Sequence, residues 1–112
     1  FDKLLGDSGM DADQLAAMHR DVIDSGAFPY ALNWYRGMPL GSPSTATTRV
    51  NVPTTHVWST GDIALARRGA DLAGDYVDAD YELKVLDGDH WIPERHPAEL
   101  TDIIVERAES AG

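Results

Sequence analysis

Asp62 and His90 are the residues whose types and spacing carry the most chemistry in this chain. They lie 28 residues apart, and each stands just past a strand-like run. Asp62 follows Thr55-His56-Val57-Trp58-Ser59, and His90 sits in Gly88-Asp89-His90-Trp91. Open α/β sheets put their chemistry at the carboxyl ends of strands. An acid and an imidazole delivered to neighbouring strand ends are two members of a nucleophile–histidine–acid triad. There the carboxylate accepts a hydrogen bond from one ring nitrogen, sets the tautomer and stabilises the imidazolium. Asp62 has a second reading as the N-cap of a helix beginning near Ala64, since Asp is common there. His90 likewise reads as an ordinary polar loop histidine; Gly88 allows a sharp turn beside it, and Trp91 offers a bulky ring that excludes water.

The other histidines read differently. His56 falls within a strand and is expected to be a satisfied sheet residue. His19 is expected on the solvent side of its helix, and His96 at the start of the last helix. No pair has the spacing of a metal site. Tyr35 lies in a segment dense with aromatics, Phe28, Tyr30, Trp34 and Tyr35. It reads either as packing or as a phenol donating a hydrogen bond into a cavity.

Elements must hold these groups. Phe1 to Leu5 reads as the last turn of a helix stopped by Gly6, an opening that suggests a fragment of a larger protein. Asp11 and Gln14 form a capping-box-like start, followed by Leu15, Met18 and Val22 at helical spacing, with Gly26 as the stop. Pro29 suits the first turn of the next helix, through Arg36. Residues 37 to 48 are rich in Gly, Pro, Ser and Thr and read as a loop. The expected organisation is 1–37 helical, 38–49 linker and 50–112 α/β. In that last part Val57-Trp58 marks a buried parallel strand. A helix follows with Leu65, Gly69, Leu72, Ala73 and Tyr76 on one face, then a strand over Tyr81 to Leu86. Pro97 opens a final helix with Leu100, Ile103, Ile104 and Ala108 inward. Strand–helix–strand–helix order predicts a parallel pair.

Composition bounds the partners. A chain of 112 residues is one domain or less, and 43% apolar content is ordinary for a globular protein. A net charge of −10 argues against nucleic-acid binding and against an anionic membrane surface. No cysteine occurs, so a disulfide framework and thiolate metal sites are excluded, and a cytoplasmic setting fits. No apolar run approaches the ~18 residues that span a bilayer.

Three segments resemble one family. Val52-Pro53-Thr54-Thr55-His56-Val57-Trp58-Ser59-Thr60-Gly61-Asp62 resembles the acid-bearing strand and turn of α/β-hydrolases, commonly V-P-T-x-x-V-W-G-x-x-D-x-A-L. Gly88-Asp89-His90-Trp91-Ile92-Pro93 resembles their histidine loop, and Tyr30-Ala31-Leu32-Asn33-Trp34-Tyr35-Arg36 resembles the cap-domain motif of soluble epoxide hydrolases. Ser59-Thr60 departs from the usual Gly-Asp, and Asp89 stands where glycine is usual; a carboxylate facing the ring there would raise the histidine's pKa. No nucleophile elbow of the G-x-S-x-G or G-x-D-W-G form occurs in the chain.

The resemblance implies the carboxyl-terminal part of an α/β-hydrolase fold, with late cap helices over 1–37. It implies an epoxide hydrolase: an aspartate outside this chain attacks the epoxide and forms an ester, which water then hydrolyses. His90 would be the general base, Asp62 its orienter and Tyr35 a ring-opening phenol, with Trp34 and Trp91 in the substrate pocket. The implied substrate is a small apolar epoxide, with no cofactor and with a homodimer possible. A haloalkane or haloacid dehalogenase, a serine esterase and a non-catalytic binding module of the same fold are the alternatives. The chain alone is expected to be inactive and not independently stable, because two parallel strands need neighbours.

Overall fold

The computed structural model describes residues 2–41 and 48–110, and the chain divides into two compact units, Phe1–Thr48 and Arg49–Gly112. The middle of the expected linker, 42–47, lies outside the described residues.

The first unit is helical. Helix α1 runs Asp2–Asp7 and α2 runs Ala12–Met18. The stop expected at Gly6 falls instead at Gly9. Gly9 has φ 108°, its N–H donates to the Gly6 carbonyl, and the Met10 N–H donates to that of Leu5. This crossed pair of bonds satisfies the last carbonyls of α1, and it needs a residue without a Cβ where the backbone turns left-handed. The capping box at α2 forms as expected. The Asp11 carboxylate accepts the Gln14 N–H at 2.9 Å, and the Gln14 side chain accepts the Asp11 N–H at 2.9 Å. Such a cap is worth about 1 kcal/mol. The same helix loosens into a π-helical turn over His19–Asp24 and ends at Gly26, φ 75°. Pro29 lies in the first turn of α3 (Phe28–Ala31), and a break at Leu32 separates α3 from α4 (Asn33–Gly37). A 3-10 turn, Met38–Leu40, follows.

The second unit is mixed α/β. Strands β1 (Thr54–Ser59) and β2 (Tyr81–Leu86) pair in parallel, from Thr54 opposite Tyr81 to Ser59 opposite Leu86. A bridge between Val50 and Val77 extends the pairing, and the Arg49 guanidinium meets Asp78 at 2.6 Å beside it. Between the strands run α5 (Arg67–Ala73) and a 3-10 turn, Gly74–Tyr76; after β2 come α6 (Ile92–Arg95) and α7 (Pro97–Ser110). Among the described residues no helix is long and apolar enough to cross a membrane.

Burial departs from the sequence expectation. Among the described residues Trp58 and Ala70 are the buried hydrophobic ones, and β1 is enclosed only toward its carboxyl end. Leu65, expected on α5, precedes that helix and is 60% exposed. The reason is local: the Asp62 carboxylate takes the amides of Ala64 and Leu65, which bends the chain before a helix begins. The Leu65 carbonyl then accepts the Trp58 indole N–H at 2.9 Å, and the Arg67 guanidinium covers the Trp58 ring. Tyr76 is exposed, in the 3-10 turn. On α7, Leu100 and Ile103 are half-buried as expected, while Ile104 and Ala108 are exposed. Arg107 takes the inward place, donating to the Thr55 hydroxyl at 2.7 Å and pairing with Asp80 and Glu82. A long side chain can lay its stem on apolar surface while its head finds carboxylates at the strand ends.

Candidate active site

The two strands deliver the acid and the imidazole to one place. Beyond β1 and β2 the backbones stay tied. The Thr60 N–H donates to the Leu86 carbonyl at 3.0 Å, and the Gly61 N–H to that of Gly88 at 2.7 Å. The Thr60 hydroxyl reaches the Asp87 carboxylate at 2.9 Å, and the Ser59 hydroxyl donates to the Asp89 carbonyl. Gly61 is required by proximity, not by backbone angle. A Cβ there would sit 2.7 Å from the Gly88 carbonyl oxygen, and its φ is not positive.

At the end of these ties His90 Nδ1 lies 3.0 Å from both oxygens of Asp62. The Asp62 side chain is only 5% exposed and that of His90 30% exposed. Asp62 therefore serves the backbone and the ring at once. The carboxylate caps the bend at Ala64 and Leu65, each N–H at 2.8 Å, and it also faces the imidazole. It does not cap α5, whose N-cap is Ala66. Burial pushes the Asp62 carboxyl up. The hydrogen bond from His90, the amides of Leu65 and Ala64, and the attraction of the ring outweigh burial and hold it below its ordinary value. With Nδ1 turned to the acid, the ring's Nε2 is left for a proton from substrate or water, the division of labour a general base needs.

The histidine loop is fastened from behind. Asp89, expected as a possible neighbour of the ring, gives its oxygens to the Trp91 N–H at 2.8 Å and to Arg95 at 3.4 Å. The Trp91 ring stands edge-on to His90, with centroids 5.2 Å apart. His96 backs the loop: its Nε2 would meet a Cβ on Gly88 at 2.4 Å, and its Nδ1 holds Glu99 at 2.6 Å. The His96 carbonyl accepts the Leu100 N–H, so His96 does start α7 as expected. His56 is a strand residue with a partner, its Nδ1 3.2 Å from the Tyr81 hydroxyl.

A cleft of about 260 Å³ opens over this pair, walled by Trp58, Leu65, Ile92, Pro93 and Leu100 and floored by His56, Asp62 and His90. Apolar walls around a few convergent polar groups are what a small-molecule site requires. Among the described residues no group of three or more His, Asp or Glu is arranged to hold a metal ion.

Tyr35 and Trp34 belong to the first unit, on α4. Both are largely exposed, 68% and 77%, as is Tyr30 at 77%. Phe28, the first aromatic of that segment, is half-buried. Trp34 lines a hollow of about 460 Å³ with Asn33, Gly37, Met38 and Gly41. The Arg36 guanidinium pins the helix by donating to Asn33 Oδ1 at 3.0 Å. His19, expected toward solvent, is 40% exposed at its side chain and meets Asp2 at 2.6 Å.

Residue types alone did not mark Ser59 as part of this arrangement. The available signal was its place at the end of the strand, where glycine is usual in the motif it resembles. None of the family models, curated proteins or solved structures compared with this chain matches it.

Proposed function

We propose that this chain is the carboxyl-terminal part of an α/β-hydrolase-like enzyme that opens a small apolar epoxide to a diol. The observation that carries the reading is the contact of a buried Asp62 with His90 Nδ1 at the carboxyl ends of adjacent parallel strands. The cleft with apolar walls above it supports a small apolar substrate.

In this reading a carboxylate from polypeptide outside these residues attacks an epoxide carbon. A C–O bond breaks as the ester bond forms, and the ring oxygen leaves as an alkoxide that takes its proton from the Tyr35 phenol. Such donors act by stabilising charge as it develops. His90 Nε2 then takes a proton from water as the water oxygen adds to the ester carbonyl. Asp62 stabilises the resulting imidazolium. Collapse of the adduct releases the diol, protonated by the imidazolium, and leaves the nucleophile as a carboxylic acid; that acid gives up its proton, which returns to the Tyr35 phenolate, so that carboxylate and phenol are both restored. The chemistry calls for no cofactor, and the cysteine-free chain suits the cytoplasm.

The test is intact-protein mass spectrometry after mixing with excess styrene oxide. Wild type should release diol with little adduct. The His90→Gln variant should stall with one epoxide mass added to the polypeptide that bears the nucleophile. Diol release undiminished in His90→Gln, or neither diol nor adduct in either protein, would refute the proposal.

A further inference from the structure

Ser59 stands where the acid-strand motif has glycine, and it is fully buried: its relative exposure is 0%, the lowest of the described residues. It is the last residue of β1 and stands opposite Leu86, the last of β2. Its hydroxyl donates across 30 residues to the carbonyl of Asp89, the residue that immediately precedes His90. The flanking ties fall on the neighbours: Gly61 holds the Gly88 carbonyl at 2.7 Å, and the Asp89 side chain caps the Trp91 N–H at 2.8 Å. The peptide carrying His90 is thus gripped before and after the ring, and Ser59 supplies the grip nearest to it from the acid's own strand. A glycine in that place has no hydroxyl to donate.

We propose that Ser59 is a positioning residue: its hydroxyl anchors the peptide before His90 and so sets the ring in register with Asp62. The assignment rests on the reading of Asp62 and His90 as one working pair. Removing the hydroxyl takes that donor from the Asp89 carbonyl, to which it makes a part-buried bond. Opening of the loop should then become about tenfold more frequent, which corresponds to about 1.4 kcal/mol.

The experiment is NMR on the intact protein labelled with ¹⁵N-histidine, following solvent exchange of the His90 ring Nδ1–H. In wild type that proton should be protected, and Asp62→Asn should abolish the protection. Loss of the Asp62 control effect would show that the pair itself is misread, independently of Ser59. Ser59→Ala should speed the exchange on the order of tenfold, while the backbone N–H of His56, which carries the same label and lies within β1 on the side facing β2, keeps its wild-type protection. That contrast separates positioning from general loosening of the sheet. If Ser59→Ala does not fold, Ser59→Cys keeps the shape with a weak donor and should show the same selective acceleration. Exchange at His90 within twofold of wild type in the folded variant, or equal acceleration at the His56 amide, would overturn the assignment.

Discussion

Gly61→Ala is the sharpest perturbation of the acid turn. The new methyl would lie 2.7 Å from the Gly88 carbonyl oxygen, where ordinary contact begins at 3.4 Å, so the acid turn and histidine loop must part by 3.4 − 2.7 = 0.7 Å. The Gly61 N–H to Gly88 bond, now 2.7 Å, would stretch to about the same 3.4 Å, outside the hydrogen-bonding range. Its loss costs about 1 kcal/mol, and the His90–Asp62 bond beyond it, charge-assisted, is exposed to a further loss of about 1.5–3 kcal/mol. Against this, Gly→Ala reduces unfolded-state freedom by about 0.4–1 kcal/mol. No dihedral penalty enters, because Gly61 does not have a positive φ. The expected net is a destabilisation of about 1–3 kcal/mol, between five- and over a hundredfold in the folded-to-unfolded ratio. Denaturant unfolding of the intact protein measures it through the midpoint at unchanged slope. Amide exchange at Gly61 supplies the local check, since that N–H should be protected in wild type. A variant as stable as wild type, or an unprotected Gly61 amide, would show that the turn and loop do not approach as closely as argued.

Asp62 gives a pH dependence with a definite sign. Its folded carboxyl is held below the ordinary value, so its contribution is present above that value and is lost as pH falls through the folded one. Wild type should lose stability more steeply than Asp62→Asn on acidification below about pH 4, which parallel denaturation series would reveal; identical slopes would refute it. Gly9→Ala should destabilise the helical unit by about 1 kcal/mol because φ is 108° there, whereas Gly6→Ala, inside α1 with open space around its Cβ site, should be neutral or stabilising in the same thermal-melt comparison. Tyr35→Phe should slow ester formation with styrene oxide in single-turnover mass spectrometry while leaving the unfolding midpoint within about 0.5 kcal/mol, as suits an exposed position. An unchanged alkylation rate would remove Tyr35 from the mechanism.

What could be read from the chain alone was governed by local rules. Asp11 with Gln14, Pro29 and Pro97 mark helix starts because a cap or a ring acts within one turn of where it stands. The apolar runs around Val57 and Leu83 mark strands, and a helix-length gap between them makes a parallel pair the short connection. Asp62 and His90 were legible for the same reason, since each directly follows its strand.

The tertiary structure decided what those residues touch. The Asp62 carboxylate both bends the chain at Leu65 and faces His90, which moves Leu65 off the helix where periodicity put it. Arg107, not Ile104 or Ala108, turns inward, because Thr55 and Asp80, 52 and 27 residues away, offer it partners. Ser59 reaches Asp89, and Gly61 must lack a side chain, only because β1 and β2 pair with Ser59 opposite Leu86. A strand's own residues set its pleat and its apolar face, but register is a property of two strands together, and a slip of one residue would send every one of these side chains elsewhere.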